Sequence, residues 1–241
     1  MRSALALGLL VSAALAQTVR ADGAGLIYYL PDDGASVSYD FASTIPNGNG
    51  NPINLKWTLK LSSVGQTTVD DEKCRWIEVK TVHNPGPDER VAIAKFLIPE
   101  KHLGKGKVAA EHIIRGWVKF KDEEPQAVKD AQGFNRGIAS GVVSHVLGDE
   151  DVKTDRLGEV EIENKLGKLE CAGVIGVIKK VSPDGQRSVE NTFERRLHKK
   201  ALFGVVSGVN RITLNTELTT VVKFSLTDTS TTALSELPKQ K

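Results

Sequence analysis

Hydrophobic and polar residues alternate strictly in the first half of the chain. In residues 53–61 every odd position is apolar and every even position is polar. A period of two predicts a β-strand with one buried face and one face in solvent. Residues 37–41 show the same alternation, and residues 73–82 and 90–98 read as two more strands. The sequence Asn-Pro-Gly-Pro-Asp at 84–88 predicts a turn between those two.

The pattern changes between residues 99 and 147, where short stretches have helical spacing. The residues at this spacing are Val108, Ala109, His112, Ile113 and Trp117, and all of them except His112 are apolar. Residues 126–131, after Pro125, predict a second helix. Residues 138–147 fit a third helix or a strand. We therefore predict a helical insert at about residues 100–147.

Strand patterns return after this insert. They cover residues 160–162, 169–181, 188–197, 203–209 and 218–226, and Pro-Asp-Gly at 183–185 predicts a hairpin. This order predicts an α+β fold: mainly an antiparallel curved β-sheet (half-barrel) with the short helical insert packed on one face. Two packed sheets are the alternative. Residues 22–227 form one predicted domain, and the Thr/Ser-rich residues 228–241 a flexible tail.

The first 21 residues have the features of a secretory signal peptide. Arg2 precedes an apolar run over residues 4–16, which is shorter than the ~20 residues that a membrane-spanning helix needs. Cleavage is predicted after Ala16 or after Ala21. The mature chain is then a soluble, secreted or periplasmic protein without a transmembrane segment.

Export leaves two interpretations open for the two cysteines. An oxidising compartment allows Cys74 and Cys171 to form a disulfide. Alternatively, they are two separate buried thiols, since a free cysteine packs as a small apolar residue.

Composition and charge restrict the function. With 40% hydrophobic and 26% charged residues, the 241-residue chain is typical of a globular protein. The formal net charge is +2, and cleavage after Ala21 removes Arg2 and Arg20 and makes the mature chain neutral, which argues against a nucleic-acid partner.

The sequence contains no recognisable catalytic motif. None of the five histidines has the spacing of a metal-binding helix, and there is no G-x-S-x-G elbow. We therefore predict a protein that is not an enzyme and that has no catalytic residue, metal site or cofactor. An exported hydrolase is the alternative, and it rests only on scattered Ser, His and Asp residues.

Aromatic residues are the candidates for lining a ligand cavity. Aromatic side chains on a sheet, opposite a helical lid, suit an apolar ligand. The same residues also suit an ordinary filled core. The candidates are Trp57, Trp76, Phe96 and Trp117.

The arrangement of these segments resembles one known superfamily. Residues 74–80 (Cys-Arg-Trp-Ile-Glu-Val-Lys), the strand ending in Phe-Leu-Ile-Pro at 96–99, the insert and the strands from Val160 onward resemble the periplasmic lipoprotein-carrier (LolA-like) half-barrels. The resemblance covers most of residues 35–226, without a diagnostic motif from which functional residues can be carried over. Residues 202–206 and 235–238 are similar to exported proteins of bacterial envelopes.

The resemblance implies a curved antiparallel sheet whose concave face, closed by inserted helices, receives acyl chains. It favours a non-enzymatic envelope protein that binds lipid or another apolar ligand between sheet and helices. The alternative is a structural or protein-interaction β-domain with a filled core and no ligand, whose partner is another envelope protein.

Overall fold

The structure is a computed structural model that describes residues 25–48, 50–84, 89–105, 107–129, 145–148, 152 and 154–238. The predicted leader and its two cleavage sites lie outside the described residues. So do residues 138–144, which form most of the predicted third helix.

The described residues form eleven strands in one antiparallel sheet. In chain order these are β1 (Ser36–Asn47), β2 (Gly50–Val69), β3 (Glu72–His83), β4 (Arg90–Pro99), β5 (Arg115–Phe120), β6 (Gln126–Val128), β7 (Thr154–Asn164), β8 (Gly167–Val181), β9 (Ser188–Leu197), β10 (Val205–Leu214) and β11 (Leu218–Ser230). Their order across the sheet is β6-β5-β4-β3-β2-β1-β11-β10-β9-β8-β7. The predicted curved antiparallel sheet is confirmed.

The sheet consists of two meanders that meet at its centre. Strands β1–β6 pair in chain order, as do β7–β11, and the β1–β11 pair joins the two sets. The β2–β3 hairpin turns through Asp70 and Asp71, and the β10–β11 hairpin through Asn215 and Thr216, all with positive φ. Asn and Asp tolerate this left-handed conformation better than most residues, so these turns fit their sequence.

The predicted helical insert is less evident than the sheet. The described part of residues 100–147 holds two 3₁₀ helices (Glu100–His102 and Ala109–His112), strands β5 and β6, and a helical stretch at 145–147. The predicted helix that includes Trp117 is therefore wrong, because Trp117 lies on β5, and the predicted helix at 126–131 is replaced by β6. Residues 115–120 also alternate with a period of two, and pairing with β4 satisfies their backbone groups.

One face of the sheet carries the main apolar core, and we call it the inner face. Segments outside the sheet cross this face: residues 26–30, 109–113, 146–147 and 201–203, together with Leu103, contribute to the core cluster. Backbone hydrogen bonds fix two of them, from Leu26 N to Val146 O at 2.7 Å and from Tyr28 N to Phe203 O at 2.8 Å. The Tyr39 hydroxyl donates to Val205 O at 2.9 Å. The chain's own residues therefore fill this part of the inner face.

The two cysteines lie in different apolar clusters. Cys74 on β3 packs with Trp76 and Leu97, whereas Cys171 on β8 belongs to the inner core. Both thiols are free and buried, and five strands separate β3 from β8 in the sheet. The arrangement in the structure is thus two separate thiols, one of the two interpretations that the sequence leaves open. Burial raises the pKa of both, which keeps them protonated.

Residues 228–238 of the predicted tail have a defined place in the structure, and residues 239–241 lie outside the described residues. Strand β11 continues to Ser230, and residues 231–238, which we call the C-terminal segment, lie on the outer face of β3 and β4. This position explains why β3 and β4 are buried on both faces.

Ser235 anchors the C-terminal segment to two buried charged residues. The Lys95 ammonium donates to Ser235 Oγ at 2.8 Å, and the Ser235 hydroxyl donates to Glu78 Oε2 at 2.6 Å. The backbone N–H of Glu236 donates to Glu78 Oε1 at 3.0 Å. Because Glu78 and Lys95 are both buried, these bonds compensate for lost hydration of two charges.

We expect Ser235→Ala to lower the free energy of unfolding by about 1–3 kcal/mol, because it removes a hydrogen-bond partner from each of two buried charges. Urea denaturation measures the change. Leu234→Ala, at an exposed position of the same segment, is the control and should change stability by less than about 0.5 kcal/mol. Equal effects of the two substitutions would contradict the anchoring role of Ser235.

Candidate ligand site on the inner face

A row of directly opposite residues crosses the inner face, and we call it the aromatic row. It runs from His83 on β3 through Trp57 on β2 and Phe41 on β1 to Phe224 on β11. The ring centroids of successive members are 5.7, 5.0 and 4.9 Å apart, and each pair is stacked. Cross-strand aromatic pairs of this kind stabilise a sheet and present a continuous apolar surface.

Gly208 allows the row to continue to a buried cation. Gly208 pairs with Phe224 on one side and with Arg195 on the other. A Cβ atom at Gly208 would lie 2.5 Å from Phe224 Cζ, so only glycine leaves room for the ring. The Arg195 guanidinium carbon lies 5.0 Å from the centroid of Phe224, within the range of a cation–π interaction.

Arg195 is charged despite its burial. The residue is 1% exposed, and it donates to Glu194 O at 2.9 Å and to Asn210 Oδ1 at 2.7 Å. Burial lowers the pKa of Arg195 to about 10, which leaves the guanidinium protonated at neutral pH.

Beside the row, several buried polar atoms have no hydrogen-bond partner among the residues that the structure describes. They include both amide atoms of Asn191 and the Nδ2 atom of Asn210, residues that are 3% and 0% exposed. Asn191, Phe193 and Arg195 alternate on β9 and so share one face, and Asn210 is directly opposite Phe193. Native proteins seldom leave buried amides unsatisfied, so these groups are suited to contact a ligand or a bound water.

His145 adds a neutral ring to the same region. Its ring centroid is 5.6 Å from that of Phe41, and its Nε2 atom is buried without a partner. Burial, with a smaller effect from the Arg195 charge, lowers the pKa of His145 to about 3. The imidazole is therefore uncharged at neutral pH.

Beyond the aromatic row, the inner face becomes exposed. On β2 the same face continues from Trp57 to Leu55 and Ile53, and on β11 it continues from Phe224 to Leu218. These three side chains are 39–47% exposed. We call these apolar residues, together with Ile45, which pairs with Ile53, the mouth. On β2 they follow directly from Trp57, whereas on β11 the polar Thr220 lies between Val222 and Leu218.

The structure does not bring the four predicted lining residues together. Trp57 lies in the aromatic row and Phe96 in the inner core, but Trp76 and Trp117 lie on the outer face. The reason is the alternation of side chains: Trp76 is directly opposite Leu97, and the neighbouring Phe96 faces the other side of the sheet. The inner-face residues that the sequence analysis missed are Phe41, Asn191, Arg195, Asn210 and Phe224.

Within the part of the chain that the structure describes, no three His, Cys, Asp or Glu side chains are grouped so as to hold a metal ion. None of the described helices has the length and apolar character that crossing a bilayer requires.

Comparisons with known proteins give structural similarity only. No family model matches the chain, and no curated protein matches it. A solved structure with a YmcC-like fold from Bacteroides fragilis has 7% sequence identity and a TM-score of 0.36, covering 84% of this chain and 99% of that one. A DUF1329 family protein from Desulfovibrio piger has 11% identity and a TM-score of 0.31, covering 86% and 88%.

A LolA superfamily protein from Nitrosomonas europaea is also similar in structure. It has 10% identity and a TM-score of 0.29, and the match covers 88% of this chain and 90% of that one. That protein belongs to the superfamily that the sequence resembles.

Proposed function

We propose that this chain is an exported, non-enzymatic protein that binds a lipid acyl chain or a similar apolar ligand on the inner face of its sheet. The observation that carries the proposal is the continuity between the buried aromatic row and the exposed apolar mouth. The signal-peptide pattern of residues 1–21 supports export.

The mouth is an apolar surface that burial would stabilise. Removing apolar surface from water contributes roughly 25 cal/mol per Å². Contiguous exposed apolar residues on a monomer commonly mark a ligand groove. An acyl chain that lies along Ile53, Leu55 and Leu218 toward Trp57 would cover this surface and extend the stack of rings.

The buried amides indicate which chemical groups the ligand carries. Arg195 donates to Asn210 Oδ1, which orients the amide and leaves its Nδ2 hydrogens to donate elsewhere. A carbonyl or carboxylate oxygen of the ligand would accept that bond, and Asn191 offers both a donor and an acceptor. An unsatisfied buried amide costs about 1–3 kcal/mol, so a bound polar group would recover part of this free energy. The ligand is then amphipathic, with a long apolar part and a hydrogen-bonding head.

We expect the double substitution Ile53→Asn and Leu55→Asn to weaken binding of a fluorescent fatty acid at least tenfold, because two polar amides replace apolar surface at the mouth. Titration followed by the fluorescence of the fatty acid measures the affinity. Val177→Asn is the control: Val177 is exposed to a similar degree but lies on the outer face of β8.

Native mass spectrometry of the protein purified without detergent complements the titration. The proposal expects extra mass that disappears on organic extraction. A bare mass, together with no uptake of added fatty acid, would contradict it.

The alternative function is a structural or protein-interaction domain with a filled core. The observation in its favour is that residues 26–30 and 201–206 already occupy much of the inner face. If this function is correct, the mouth is a contact surface for another envelope protein. The Ile53 and Leu55 substitutions would then change association with that protein, and neither wild type nor variant would take up fatty acid.

A further inference from the structure

A cleft of about 720 Å³ lies on the outer face, away from the aromatic row. Its floor is formed by Trp76 on β3, Lys95 on β4 and Arg115 on β5. Residues 64–67 of β2 form one wall, and residues 231–235 of the C-terminal segment form another. None of the residues in the proposed acyl site lines this cleft.

The register of β3, β4 and β5 brings the floor residues to one face. Trp76 is opposite Leu97, and Leu97 is opposite Arg115, so these three side chains form a cross-strand row. The next row contains Lys95 opposite Trp117. The Lys95 ammonium lies 5.1 Å from the centroid of the Trp76 ring.

Among the described residues, two buried donors on this face have no acceptor. They are Arg115 Nε and Trp117 Nε1, which are two residues apart on β5 and therefore on the same side of the sheet. Arg115 lines the cleft itself, whereas Trp117 lies beside it on β5. A buried donor without a partner is uncommon in native proteins and points to a missing acceptor. Both atoms require the same complement, an oxygen with free lone pairs.

We propose that this cleft is a second binding site, for a ligand that carries a carboxylate or phosphate group next to an apolar or planar part. The Arg115 guanidinium presents a planar fork that matches two oxygens of such a group. Lys95 also lies at the floor, where its ammonium donates to Ser235, which bonds in turn to the buried Glu78 carboxylate, so that Arg115 supplies the charge for the anion. The Trp76 ring provides a flat apolar surface. Asp33, on the rim, is exposed to solvent, where its repulsion of an anion is screened.

The C-terminal segment completes the site. Ser235 bonds to both Lys95 and Glu78, which holds residues 231–235 in place as a wall of the cleft. Ligand affinity should therefore depend on this segment as well as on the floor.

The test uses isothermal titration of the mature chain with phenyl phosphate, together with sedimentation with vesicles of phosphatidylglycerol and of phosphatidylcholine. We expect wild type to bind phenyl phosphate and Arg115→Gln to weaken the affinity at least tenfold. Arg187→Gln, in the exposed β8–β9 turn, is the control and should leave the affinity unchanged. Thermal unfolding checks that each variant is folded.

Two further variants keep the test decisive if Arg115→Gln does not fold. Arg115→Lys keeps the charge and loses the planar fork, and Trp76→Leu removes the ring, so each should weaken binding several-fold. Binding to phosphatidylglycerol vesicles alone, lost in the Arg115 variants, would identify a lipid headgroup as the source of the phosphate. Absence of binding to both probes, or equal binding by wild type and the folded Arg115 variants, would overturn the proposal.

Discussion

Phe41→Ala should lower the free energy of unfolding by about 3–5 kcal/mol, which is the range for removing a fully buried phenyl ring. Phe41 is the central member of the aromatic row: its ring stacks on those of Trp57 and Phe224 and also meets the rings of Tyr39 and His145. The loss combines the transfer free energy of the ring with a cavity that strands β1, β2 and β11 cannot close.

Chemical denaturation with the fluorescence of Trp57 as a probe measures this effect, and the emission of Trp57 should shift to longer wavelength. Tyr29→Ala is the matched control, because Tyr29 is 48% exposed and its loss should cost less than about 1 kcal/mol. A loss below about 1 kcal/mol for Phe41→Ala would show that the row does not contribute to the core as described.

The protein should lose stability as the pH falls from about 6.5 toward 3, because of His145. Its pKa is about 3 in the folded state, and that of an unfolded histidine is about 6.5. Between these values the unfolded chain binds a proton and the folded chain does not, so protonation favours unfolding. The slope is about 1.4 kcal/mol per pH unit, or roughly 2–3 kcal/mol between pH 6.5 and 4.5.

His145→Leu isolates this contribution, since it removes the titrating group and leaves all carboxylates in place. The difference in unfolding free energy between wild type and variant should be constant above pH 7 and should change with the stated slope below pH 6. Parallel curves for the two proteins across pH 4–8 would show that His145 gains a proton in the folded state as readily as in the unfolded state.

The strands could be predicted because the alternation of apolar and polar residues agrees with the alternation of buried and exposed side chains in the fold. In residues 53–61, the alternation places Leu59 and Leu61 in the core, which is why β2 forms where the sequence indicates. The helix predicted through Trp117 is wrong because there the local pattern does not decide between helix and strand. Its apolar positions fit both helical and strand periods, and the edge of β4 decides in favour of a strand. The order of residues 231–238 depends on Glu78 and Lys95, far away in sequence, and no local pattern contains that information.

The site was less predictable than the fold, since it depends on register between distant strands. Trp57 stands out by its type, but its neighbours in the row come from β1, β3 and β11. Arg195 lies in a sequence of charged residues that resembles a solvated stretch. Arg195 is two residues from Phe193, so the two side chains point to the same face of β9. This spacing is the one local sign that Arg195 points inward, and it can be interpreted only when the pairing of β9 with β10 is known.

The junction of the two meanders has a consequence for the order of folding. Strand β1 precedes the other described strands in the sequence and β11 follows them, and residues that meet there are up to 194 positions apart, as for Ser36 and Ser230. Contacts of such high sequence separation form late, because a long loop must close before they stabilise anything. The central seam of the sheet therefore cannot form before β11 is available, whereas the hairpins within each meander can form earlier, because their strands are neighbours in the sequence.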